Sequence, residues 1–150
     1  MSLARRTVLS INLNEDGVAE QLKSTKTMSF LKESEIHLVY IFQSTSMSFG
    51  LGEIPAVYPT KSHEEAIRQS TNLLLQDLVK NNMGQEFQGK VHTHCLFSEN
   101  PKLQLCEFVK ERNIDLVVMW ARRKRGFFDS SFSHYVSKHT DANVMVIKHK

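Results

Sequence analysis

Apolar and polar positions fall along this chain in blocks of two kinds, short runs with strand character and longer stretches with helical spacing, and the two kinds alternate. Thr7-Val8-Leu9-Ser10-Ile11-Asn12-Leu13 is short, mostly apolar and β-branched, and turn formers at Asn14-Glu15-Asp16-Gly17 close it. Ile36 to Phe42 is a continuous apolar run of the kind buried on both faces. Lys90 to Phe97 alternates enough to be a half-exposed strand, Ile114 to Met119 is apolar throughout its second half, and Asn143 to Lys148 forms the last strand.

The intervening stretches have helical spacing of unequal strength. Val18 to Lys32 is weak, anchored by Val18, Leu22 and Leu31 and diluted by Ser and Thr. Ser62-His63-Glu64-Glu65 has the form of a capping box, in which hydroxyl and carboxylate satisfy orphan backbone donors. Ile67, Leu74, Leu75, Leu78 and Val79 then supply one apolar face of a helix ending near Asn82. Ser98-Glu99-Asn100-Pro101 turns into a third helix carrying Leu105, Phe108 and Val109, which Asn113 ends. The fourth runs from Ser131 to near Thr140 with Phe132, Tyr135 and Val136 inward.

Strands and helices in strict alternation predict an α/β fold with a parallel sheet covered on both faces by right-handed crossovers. Ligands bind such sheets at the carboxyl ends of the strands, where strand order reverses. Attention therefore goes to the loops after strands one, two and four. The second is long and polar, Ser44 to Thr60 with Gly50, Gly52, Pro55 and Pro59, and long loops of that kind are often functional.

Composition adds bounds. At 150 residues and 41% hydrophobic content the chain is expected to be one domain over 1–150 with a single core. Its net charge of +3 is too small for a dedicated nucleic-acid binder. Cys95 and Cys106 fall in a strand and a helix, no signal-peptide pattern precedes them, and both are read as reduced. No apolar run approaches the roughly 20 residues needed to span a bilayer, so a cytoplasmic location is expected.

The candidate chemistry centres on Trp120-Ala121-Arg122-Arg123-Lys124-Arg125-Gly126, read as a tight loop after strand four. The basic run is either a solvated surface or an anion site beside the amino end of helix four, where Ser130 and Ser131 stand and helix amides already favour negative charge. Trp120 reads as a packing residue, with a stacking platform for a base as the alternative. Phe127 and Phe128 close the loop over the sheet end, or else contact nucleic acid or a protein. His92 and His94 share a strand face, but no third metal ligand stands at useful spacing, and a polar strand face is the simpler reading. The serines at the start of helix four are explained by capping. Gly50-Leu51-Gly52 follows the wrong strand for a dinucleotide fingerprint, and there is no Walker A sequence.

Asp115-Leu116-Val117-Val118-Met119, then Ser131-Phe132-Ser133-His134-Tyr135-Val136, then Asn143-Val144-Met145-Val146-Ile147, in that order and spacing, resemble the universal stress protein family. Ser98-Glu99-Asn100-Pro101 is similar to the family's turn before helix three. The resemblance covers nearly the whole chain. It implies a single-domain Rossmann-like fold, similar to the adenine nucleotide alpha hydrolases, with strand order 3-2-1-4-5.

Nucleotide-binding members carry Gly-x2-Gly-x9-Gly-Ser/Thr after strand four, whose bare backbone and hydroxyl wrap the phosphates. Here the first Gly falls on Trp120, the second on Arg123 and the final pair on Ser130-Ser131, and the loop is shorter than the pattern requires. The family's strand-one Asp falls near Asn12, and the adenine-facing residue at the end of strand two falls on Ile41.

The resemblance thus implies a non-enzymatic stress-response or regulatory domain with impaired ATP binding. It also implies a homodimer through Val144 to Ile147, and regulation through a protein partner. The alternative is a module that takes ATP, AMP or another phosphate anion through Asn12, Ile41, Trp120, Arg122, Arg123, Arg125, Ser130 and Ser131, with slow hydrolysis. A nucleic-acid contact through the basic loop is disfavoured.

Overall fold

The computed structural model describes residues 6–13, 17–43, 61–87, 89–124, 127–128 and 131–149, with the backbone alone described at 61–62, 122–124, 127–128 and 149. The long polar stretch Ser44 to Thr60, the turn Asn14 to Asp16, and Arg125, Gly126, Asp129 and Ser130 lie outside the described residues.

The strands are β1 (Arg6–Ile11), β2 (Glu35–Gln43), β3 (Val91–Ser98), β4 (Leu116–Lys124), β5 (Phe127–Phe128) and β6 (Asn143–His149). The helices are α1 (Val18–Ser24), α2 (Lys61–Asn82), α3 (Pro101–Glu111) and α4 (Ser131–His139). Five strands pair in parallel in the order β3-β2-β1-β4-β6, which is the expected 3-2-1-4-5 arrangement once β5 is recognised as a short antiparallel return against the tip of β4. The reversal of strand order lies between β1 and β4.

Alternation along each strand sends side chains into two separate cores. Leu9, Leu38, Cys95 and Val118 face α1 and α2, where Leu22, Leu75, Val79 and Met83 complete one cluster. Val8, Val39, Val117 and Met119 face α3 and α4, meeting Leu105, Phe108, Val109 and Val136 in the other. Each fully buried aliphatic side chain contributes about 1.5 to 3 kcal/mol. A parallel sheet needs both faces covered for this reason.

Four expectations are corrected. First, the stretch after β1 is not one helix to Lys32. It stops at Ser24 and continues as two 3₁₀ turns, Thr25–Thr27 and Ser29–Glu33. The hydroxyls of Ser24, Thr25 and Thr27 each donate to the carbonyl three residues back, which tightens the backbone and ends the α-helical pattern. Second, α2 begins at Lys61, one residue before the expected Ser62, and the Ser62 side chain of the capping box lies outside the described residues. Third, Leu74 is 49% exposed, because the buried line of α2 runs through Leu75 and Val79, on to Met83 just past its end, and leaves Leu74 pointing outward.

Fourth, the segment from Trp120 to Lys124 is no loop. β4 continues to Lys124, with Trp120, Ala121 and Arg122 paired to Ile147, Lys148 and His149 of β6, and Arg123 and Lys124 paired to Phe128 and Phe127. Backbone pairing does not require apolar side chains, so a cationic sequence at a strand tip is compatible with the ladder.

The third helix follows its sequence signals closely. Asn100 accepts from Leu103 N–H as the cap, Pro101 stands in the first turn, and Asn113 turns the chain out with φ of 52°.

Candidate functional site

The carboxyl ends of β1 and β4 flank the point where strand order reverses, and this crevice is where the fold places a ligand. β1 and β4 pair only as far as Ser10 opposite Met119. Beyond that point Ile11 stays paired with Tyr40 of β2, while β4 runs on beside β6.

Of the site residues read from sequence, Asn12 lies exposed immediately after β1. Ile41 is inside β2, paired with Leu96, and its half-buried side chain packs on the α3 and α4 face. Ser131 is the exposed first residue of α4. Arg122 and Arg123 have backbones committed to pairing with β6 and β5, while Arg125 and Ser130 lie outside the described residues. The structure thus places Asn12 just after β1 and Trp120 inside β4, one residue past its last pairing with β1, whereas Ile41 belongs to the next strand over.

Trp120 takes the packing role. Its half-buried ring lies on the α1 and α2 face beside Ile147 and joins the core there. The indole Nε1–H donates to Ser24 Oγ at 3.3 Å, and Ser24 in turn donates to the carbonyl of Gln21. An aromatic ring with its single donor satisfied ties the strand end to the last turn of α1.

Ser10 to Leu13 and Met119 to Ala121 carry no ionisable side chain, and the cationic Arg122, Arg123 and Lys124 follow directly in β4. The first two stretches offer amide and hydroxyl groups and apolar surface, which suit hydrogen bonding to a ligand. Burial pushes both the Cys95 and Cys106 thiols up, so neither is poised as a nucleophile. Among the described residues no group of three or more His, Cys, Asp or Glu side chains is arranged to hold a metal ion. No described helix is long and apolar enough to cross a membrane.

Two groupings escaped the sequence reading. Arg68 of α2 lies over the ring of Phe97 at 5.3 Å, donates to the carbonyl of Cys95 at 3.3 Å and pairs with Glu65 at 2.9 Å, fixing a cation near the carboxyl end of β3. At the opposite end of the sheet His37 joins His92 and His94. Only the register of β2 against β3 reveals that meeting, because His37 sits in a run that otherwise reads as core.

The model of the universal stress protein family matches residues 28–148. Among solved structures, a universal stress protein family member from Burkholderia pseudomallei is 13% identical, with a TM-score of 0.65 and 98% of each chain covered. The universal stress protein of Archaeoglobus fulgidus in complex with dAMP is 14% identical, with a TM-score of 0.57 over 96% of this chain and 98% of that one. A universal stress protein in complex with cAMP is 11% identical, with a TM-score of 0.56 and 96% of each chain covered. At these identities the structural likeness establishes the fold. A comparison with curated proteins gives no match.

Proposed function

Since this chain belongs to the universal stress protein family, we propose that it acts as a non-enzymatic cytoplasmic regulatory domain of the stress response, one whose nucleotide crevice no longer holds ATP tightly. The observation that carries this reading is the course of β4. Where the resemblance puts a glycine loop around phosphates, the backbone stays in strand pairing from Trp120 to Lys124. Amides that point into the β6 and β5 ladders are not free to cradle a phosphate, and Trp120 and Arg123 stand where the pattern has glycines, whose bare backbone lets a phosphate approach closely.

Its partner is then a protein, beginning with a second copy of itself. β6 pairs with β4 on one side and is the last strand in the sheet order. Met145 and Val146 are 36% and 38% exposed there, apolar surface on an edge that natural proteins seldom leave bare.

The dAMP and cAMP complexes of two structural neighbours favour a second reading. Each of those ligands has a single phosphate, which needs less of a cradle than a triphosphate. An adenine monophosphate held near Asn12, Ile41 and Ser131 fits a crevice of this kind. Mass spectrometry of small molecules released from the purified protein separates the readings. The first expects no nucleotide in stoichiometric amount, the second expects a monophosphate, and retained ATP would overturn the first.

A further inference from the structure

Three histidines meet beneath α3 at the amino ends of β2 and β3, far along the sheet from the nucleotide crevice. The parallel register places His37 beside His92 and Val39 beside His94, so the three rings rise from one face. His37 is 4% exposed. Its Nδ1 lies 2.9 Å from His94 Nε2, and its ring stacks on His92 at 5.2 Å between centroids. Phe108 of α3 sets its edge against both His37 and His94, at 5.8 and 5.0 Å.

Charged groups reach this cluster from every element packed on it. Glu35 of β2 places Oε1 3.4 Å from His37 Nε2 and 3.8 Å from Nε2 of the half-exposed His92 of β3. Its other oxygen lies 3.4 Å from Arg6 Nε of β1. Arg112, at the end of α3, covers the Phe108 ring at 4.8 Å.

Counting hydrogens on the facing nitrogens shows what this arrangement tolerates. With both rings neutral, Glu35 favours the His37 tautomer with hydrogen on Nε2, leaving Nδ1 to accept from His94 Nε2–H. One added proton preserves the bond, since either ring can be the donor. Two added protons put a hydrogen on both facing nitrogens, and the bond is lost between like charges beside Arg112. We propose that this pair is an acid-operated latch: when His37 and His94 are both protonated, their ring-to-ring bond breaks and the carboxyl-terminal half of α3, seated there by Phe108, leaves the sheet.

Release uncovers apolar side chains of the second core, Val39 among them. Burial, and then the neighbouring His37, Arg112 and His92, hold His94 down to about 4. Burial likewise lowers His37, against the opposing pull of Glu35. Both rings bind protons less readily when closed than when open, so the open state holds more protons between pH 6.5 and about 4. The α3 contact is therefore at full strength above pH 6.5, weakens as pH falls through that window, and levels off below it.

Two measurements on the intact protein test the latch. Ring-proton NMR of the wild type should show His37 and His94 titrating together, with His94 well below the ordinary histidine value. Amide hydrogen exchange should show α3 losing protection at least about tenfold relative to β4 between pH 7 and about pH 4.5, after correction for intrinsic rates. His94→Gln keeps an amide donor toward His37 but takes no proton, and most of that loss should disappear. Rings that titrate independently at the ordinary value would overturn the latch. So would α3 and β4 losing protection in step, or a loss unchanged in His94→Gln. Should that variant not fold, the wild-type titration alone decides.

Discussion

Trp120 links two elements through one side chain, with its ring in the α1 and α2 core and its Nε1–H on Ser24 at 3.3 Å. Because the ring is half-buried, Trp120→Ala should cost about 2 to 3 kcal/mol, less than a fully buried aromatic. Ser24→Ala should cost at most about 1 kcal/mol, since the indole donor can find water, and the double variant should show a small positive coupling. Urea denaturation of the four proteins measures all three. A Trp120→Ala midpoint equal to wild type would mean that the ring is not packed as described. At this scale the sequence was legible where a residue type has one dominant use, as with Trp120 as packing and Asn113 as a helix end. It was silent on His37, whose neighbours come from another strand and from a helix residues away in sequence.

The elements with strong local signals appeared where expected, and α3 is the clearest. Asn100 caps it through Leu103 N–H at 3.3 Å. Asn100→Ala should lower stability by about 1 kcal/mol in thermal or chemical denaturation, whereas the neighbouring exposed Glu99→Ala should be close to neutral. If the two variants behaved alike, the cap would not be contributing. β4 was legible only in its apolar half, Leu116 to Met119. Its continuation to Lys124 is set by pairing with β6 and β5, a property of the backbone that the charges at Arg122, Arg123 and Lys124 concealed. α1 failed in the other direction, where apolar spacing suggested a longer helix and hydroxyls bonding back to the carbonyls of Gln21, Leu22 and Ser24 shortened it.

For the molecule as a whole, sheet order followed from the alternation of strands and helices together with the family resemblance, whereas the single core expected from chain length is two, one on each face of the sheet. The state of the crevice did not, because it depends on where β4 stops being a strand. The exposed edge of β6 leads to the expectation of a dimer in light scattering at micromolar concentration, converted to monomer by Val146→Lys, which places a charge on each copy at that edge. A wild-type monomer would contradict the dimer, and a dimer indifferent to the substitution would locate the interface elsewhere. The central claim is that strand pairing from Trp120 to Lys124 has replaced the phosphate-binding loop, and calorimetric titration of the purified protein with ATP and magnesium tests it most directly. The account predicts no binding tighter than about 100 μM, roughly −5.5 kcal/mol. Saturable binding at low micromolar concentration would contradict it.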